Sequence, residues 1–144
     1  LYMLAMNTFT MNTSMNPFEN TLSSDKLFNK QAEVIQEIAD KDDCIIVGRC
    51  AGYILRDEPK CVRIYICADK DFRTKRIMAS DHLDEKEAQK KIHSMDKKRD
   101  SYFGYYAGQD WKACHTYDLS ISTSSLGIDK AVDLICQYID IKFK

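Results

Sequence analysis

Apolar residues in this chain recur three and four apart in some stretches and run together in others. From Asp25 to about Lys41, Leu27, Phe28, Ala32, Ile35, Ile38 and Ala39 fall on one helical face, and Ser24 is placed to cap the start. Cys44–Val47 is a short apolar run that passes directly into Gly48-Arg49. Val62–Ala68 is a second run, rich in β-branched and aromatic residues, and passes into Asp69 and the basic stretch Arg73-Thr74-Lys75-Arg76. Short apolar runs separated by helical patterns predict buried parallel strands. A short helix over Cys50–Leu55 and a turn at Asp57-Glu58-Pro59 lie between them.

Asp69 is a plausible cap for a helix over Lys70–Ala79. Asp84-Glu85-Lys86-Glu87 has the form of a capping box, with Leu83 placed to staple onto Ala88. Ala88, Ile92 and Met95 continue the apolar stripe, so the pattern predicts a helix from 85 to about 99, followed by the aromatic segment Tyr102–Tyr106. A third strand at Leu119–Thr123 leads through Ser124-Ser125 to a last helix over about 128–141. There Ile128, Val132, Ile135 and Ile139 form the expected buried face, and Asp129 suits the positive N-terminal end. Residues 1–23 contain Pro17 and several Asn and Ser, and are expected to be a poorly structured N-terminal segment before a domain over 24–144.

Composition narrows the classes. The chain has 144 residues, enough for one domain with a core. Its 21 basic and 22 acidic side chains nearly balance, which argues against a general nucleic-acid partner. No apolar stretch approaches the length of a membrane span. The six cysteines form no C-x-x-C pair, and the three histidines have no metal-ligand spacing. The cysteines are expected to be reduced structural thiols in a cytoplasmic protein, and no metal ligands are assigned.

The candidate chemistry is anion binding. Ligands of open α/β sheets bind beyond the carboxyl ends of the strands. Arg49 stands at such an end, beside Gly48, which allows close backbone approach. The alternative for Arg49 is an ion pair with Asp57 or Glu58. Arg73 and Arg76 are one helical turn apart and either bind phosphate or pair with Asp69 or Asp71. Lys97-Lys98-Arg99 is either a solvated face or part of a phosphate site. The aromatics at 102–106 either stack on a base or pack on a neighbouring helix, and Gln31 is either a base contact or an exposed helix residue.

The order strand–Gly-Arg, strand–Asp–Arg-x-x-Arg, basic helix, strand–Ser/Thr–helix resembles the C-terminal two thirds of a nucleoside monophosphate kinase, most closely the cytidylate kinase-like family. LFNKQAEVIQEIADKDDCIIVGRCAGYILRD, VRIYICADKDFRTKRI, DKKRDSYFGYYAG and LSISTSSLGIDKAVDLICQYI carry the resemblance. It implies a three-layer α/β fold of the P-loop kinase type, a parallel sheet flanked by helices, with a lid region at about 70–107. It implies phosphoryl transfer from ATP, with Mg2+, to CMP or a similar monophosphate. By that similarity Arg49, Gly48 and Gln31 bind the monophosphate, and Arg73 and Arg76 flank the lid. Asp96 and Arg99 are catalytic, and Ser122 and Thr123 stand near the nucleotide base. Arginines suit this chemistry, because the charge of the phosphoryl transition state is spread over oxygens that a planar guanidinium can grip in pairs.

The glycines are at 48, 52, 104, 108 and 127, and no arrangement of them gives the phosphate loop G-x-x-x-x-G-K-[ST]. In the family that loop follows a central strand lying between the strands matched by 44–47 and 62–68. The sequence is therefore expected to be an N-terminally truncated fragment, inactive alone, in which those two strands either pair directly or leave a gap. An upstream segment, residues 1–23 or a partner chain would fill the gap. A non-catalytic nucleotide-binding or regulatory module is the alternative function. An RNA-contacting protein is disfavoured by the charge balance and the lack of a stacking-sheet motif.

Overall fold

In the computed structural model, which describes residues 3–4 and 17–144 (side chains from residue 24), the chain divides into two units, Leu1–Cys61 and Val62–Lys144. Helix α1 spans Pro17–Lys41 and so starts eight residues before the apolar stripe requires. Proline fits the first helical position, where its missing N–H would have had no partner. The rest of the expected unstructured segment 1–23 lies outside the described residues, apart from strand β1, Met3–Leu4. β1 pairs in parallel with β2, Ile45–Ile46. Helix α1 packs against the short α2, Ala51–Ile54. Among the described side chains of this unit, Ile35, Cys50 and Ala51 are the buried apolar ones.

The second unit carries its own parallel pair, β3 (Ile64–Cys67) with β4 (Leu119–Ser122), in the register Ile64↔Leu119 to Cys67↔Ser122. β2 and β3 thus belong to separate two-stranded sheets, and β2 takes its partner from the N-terminal segment. A clamp fixes the start of the β3–β4 pair. The Arg63 backbone N–H donates to Asp118 Oδ2 at 2.7 Å, its side chain donates to the same carboxylate at 3.2 and 3.3 Å, and the Asp118 N–H returns a bond to Arg63 O at 2.8 Å.

β3 feeds α3, Lys70–Asp81, which packs along α4, Glu85–Ala107. The capping box forms as the sequence predicts: Asp84 accepts from the Glu87 N–H at 2.8 Å, and Glu87 accepts from the Asp84 N–H at 3.3 Å. The far end of α4 differs from expectation. The helix runs through Gly104 and the aromatic segment and ends only at Gly108, whose φ of 65° supplies the left-handed turn that closes helices. Within that last stretch Tyr102 and Tyr106, four apart, meet edge to face, so side-chain contact carries the helix past a weak residue.

After a short 3-10 turn at Cys114–Thr116, β4 leads into α5, Thr123–Leu126, and α6, Ile128–Lys142. Here the expected buried face is wrong in part. Ile128, Val132 and Ile139 are exposed, while Ala131 is buried and Ile135 and Tyr138 are half-buried. Helix α6 carries two adjacent apolar stripes, and packing on β4 selects the narrower one built around Ala131. The core of this unit is Ala88, Ile92, Ala107, Ile121 and Ala131, with Thr74 and Thr123 buried among the polar residues. The helix–strand order with small parallel sheets is that of an α/β protein.

Candidate active site

Two places carry the arginines singled out by the sequence. In the N-terminal unit, β2 gives way to Gly48-Arg49-Cys50, three successive residues with φ of 78°, 54° and 56°. The Ala51 N–H donates back to Gly48 O at 3.0 Å, closing the turn. Glycine accepts this left-handed conformation freely, but each L-residue with a Cβ pays about 1–2 kcal/mol for it. Strain of this kind is held where surrounding structure over-determines it, often at ligand sites. Arg49 is half-buried on that turn, and the Cys50 thiol is pushed up to about 11 by burial. Gln31 is half-buried on α1 of the same unit.

In the C-terminal unit three further candidates come together. Arg73, in the first turn of α3, donates from Nη1 to Asp96 Oδ2 and from Nη2 to Asp96 Oδ1, both at 2.7 Å. Arg99, one turn along α4, donates to Asp96 Oδ1 at 3.3 Å. Burial works against the Asp96 charge, but the Arg73 hydrogen bond, with the charges of Arg73, Arg99 and Lys112, outweighs it and holds the carboxyl below its usual range. The hydrogen bond to Asp96 in turn raises Arg73, so that guanidinium stays fully charged. Three cations thus surround one carboxylate, which leaves net positive charge for an anionic ligand. Arg73 pairs with neither Asp69 nor Asp71 in these bonds. Arg76 is exposed further along α3, outside this cluster.

An aromatic wall that sequence reasoning missed adjoins the cluster. Trp111 meets Tyr65 edge to face at 5.6 Å, and Tyr65 stacks on Tyr117 at 5.1 Å. The Arg99 guanidinium lies 6.0 Å and the Lys112 ammonium 5.5 Å from the Trp111 ring centre. Burial is the main cause that raises the Tyr65 phenol, with help from Cys67, Tyr117 and Asp96. The signal for it in the sequence is the Trp111-Lys112 pair after the basic helix, which the aromatic segment Tyr102–Tyr106 overshadows. Those tyrosines pack edge to face on one another, Tyr102 on Tyr106 and Tyr105 on Tyr106.

The start of α5 is tied back to β3. Thr123 is buried and donates to Cys67 O at 3.1 Å; Ser124 accepts from the Asp69 N–H at 3.1 Å and shares a 3.0 Å hydrogen bond with Ser122. Among the described residues no group of three or more His, Cys, Asp or Glu side chains is placed to hold a metal ion. Among them, too, no helix is long and apolar enough to cross a membrane.

Comparison with known proteins gives this arrangement a class. The chain is similar to a cytidylate kinase of Sulfolobus acidocaldarius, 31% identical over 110 residues that cover 76% of this chain and 60% of the relative. It is 25% identical to a cytidylate kinase of Saccharolobus islandicus, over 85% of this chain and 64% of that protein. The crystal structure of an uncharacterized protein from Eubacterium ventriosum superposes with a TM-score of 0.78 at 37% identity, covering 81% of this chain and 73% of that one. The model of the cytidylate kinase-like family matches residues 1–125, and the chain belongs to that family. It spans less than two thirds of the length of these two cytidylate kinases.

Proposed function

We propose that the protein is a nucleoside monophosphate kinase that transfers a phosphoryl group from ATP to CMP or a similar monophosphate. The observation that carries this reading is the pairing of Arg73 and Arg99 on the single carboxylate of Asp96, at the foot of the α3–α4 hairpin. Family membership and the cytidylate kinase relatives support it.

In this reading Arg49 holds the monophosphate from the strained turn, with Gly48 giving the backbone access and Gln31 near the base. Residues 70–107 form the lid of a kinase-like domain over 24–144, flanked by Arg73 and Arg76. The β4–α5 junction at Ser122 and Thr123 stands near the nucleotide base, held to β3 by the Thr123 hydroxyl. An oxygen of the monophosphate bonds to the γ-phosphorus of ATP while the bond from that phosphorus to the β–γ bridging oxygen breaks, and ADP leaves. Arg99 spans the equatorial oxygens as their charge builds, and Asp96 keeps Arg99 and Arg73 in place until a phosphate competes for them. Such transfer is mostly positioning and cationic stabilisation, which is what these residue types supply.

Residues 1–144 hold no G-x-x-x-x-G-K-[ST] loop, so they are expected to bind monophosphate without turning it over. The reading also puts the protein in the cytoplasm, which suits its free cysteines. The test is ADP formation by the full gene product, beside residues 1–144, with CMP, dCMP, UMP and AMP as acceptors. ADP formation that depends on a pyrimidine monophosphate and falls at least tenfold in Arg99→Ala supports the kinase. Monophosphate binding with no ADP formation by the full product would reassign the protein to a non-catalytic nucleotide-binding module.

A further inference from the structure

We infer that Trp111 is a positioning residue: its ring holds the Arg99 guanidinium beside Asp96, in the orientation from which it meets a phosphate. The inference rests on the anion-site reading above and adds a residue that the reading does not contain.

Arg99 has one long hydrogen bond to fix it, 3.3 Å to Asp96 Oδ1, because Arg73 occupies both carboxylate oxygens at 2.7 Å. A flexible side chain held by one such bond would sample several orientations. The second restraint is the indole, its ring centre 6.0 Å from the guanidinium carbon. Tryptophan gives the strongest cation–π attraction of the aromatic residues, and arginine is its commonest cation.

The indole is itself held firmly. Tyr65 packs against it edge to face, and the Tyr117 hydroxyl donates to the Trp111 carbonyl at 2.6 Å. The Lys112 ammonium also lies near the ring, 5.5 Å from its centre.

A second observation separates positioning from plain packing. The Trp111 indole N–H is buried and has no acceptor among the described residues. A buried donor left unpaired is unfavourable, so Trp111→Phe, which keeps an aromatic ring and drops the N–H, is not expected to lose stability. Removing the indole is expected to leave the fold intact while Arg99 loses its orientation.

The test is binding of inorganic tripolyphosphate by calorimetry in the full gene product, together with kcat and KM for CMP and a thermal melt of every variant. Trp111→Leu is expected to weaken tripolyphosphate about three- to tenfold in the presence of Arg99, and to change nothing further in the Arg99→Ala background. Trp111→Phe should recover part of the loss, with a Tm no lower than that of the parent protein. In the kinase assay Trp111→Leu should lower kcat with little change in the KM for CMP. Equal weakening with and without Arg99, or no weakening at all, would overturn the inference while CMP-dependent ADP formation still upheld the kinase. Coupling between Trp111 and Arg99 in a protein that forms no ADP would uphold the inference and remove the kinase.

Discussion

Arg73 and Asp96 meet through two parallel 2.7 Å hydrogen bonds although 23 residues separate them in sequence. The bond pair joins the first turn of α3 to the middle of α4, while Lys91 joins Asp81 at 2.6 Å nearer the hairpin's other end. A bidentate guanidinium–carboxylate contact that is mostly shielded from water is stronger than an exposed ion pair. Asp96→Asn is expected to lower stability by about 1–2 kcal/mol in urea unfolding. The same variant leaves Arg73 and Arg99 uncompensated, so its affinity for tripolyphosphate should rise rather than fall. A weaker affinity would mean that Asp96 orients the arginines more than it occupies them.

Three carboxylates are held low, Asp81, Asp96 and Asp118, and the two part-buried ones, Asp96 and Asp118, shape the acid limb of the stability profile. Asp96 is held low against its burial by Arg73, Arg99 and Lys112. Asp118 is held low chiefly by its hydrogen bond from Arg63. Unfolded aspartate titrates near about 3.9, so the unfolded chain takes up these protons first as the pH falls. Their contribution is complete above that value and is lost as the pH drops through the lower folded values. Urea unfolding between pH 6 and 3 should therefore show stability falling below about pH 4. Asp118→Asn should show a shallower fall from a lower starting point, and an unchanged slope would contradict the assignment to that clamp.

At position 49 two substitutions separate strain from binding. Arg49→Ala and Arg49→Gly remove the same guanidinium, but only glycine relieves the φ of 54°. Arg49→Gly is expected to be about 1 kcal/mol more stable than Arg49→Ala in chemical unfolding. Both should weaken CMP binding far more than ATP binding. Equal weakening of the two nucleotides would take Arg49 out of the monophosphate site.

Gly104 is exposed in the interior of α4, and a Cβ there would meet nothing closer than Gln109 O at 4.0 Å. Gly104→Ala is expected to raise stability by about 0.5–1 kcal/mol, read as a higher Tm. A loss of stability would show that the helix bends at this point in a way that alanine resists.

What the sequence made legible was local. The capping box at Asp84 and Glu87 needs only residues three apart, and it forms as read. Arg49's place after a strand was visible in the passage from Cys44–Val47 to Gly48, but its left-handed backbone was not, because Cys50 and Arg49 are unusual bearers of positive φ. Arg73 was expected to choose among Asp69, Asp71 and phosphate. Its carboxylate partner lies on the neighbouring helix instead, and no spacing rule reaches across a hairpin. The end of α4 was misjudged because glycine is a weak helix former, and the contacts that override it come from tyrosines on the same helix. In α6 two apolar stripes lie side by side, and only packing against β4 tells them apart.

The turn at Gly48-Arg49-Cys50 sets a trap for protein engineering. A selection that rewards heat resistance alone would be drawn to glycine or asparagine at 49, since either relaxes the backbone there. On the role proposed for Arg49, each round would yield a sturdier protein and a poorer binder of monophosphate. Any stabilisation campaign on this chain has to score binding alongside melting, or it will discard the guanidinium first.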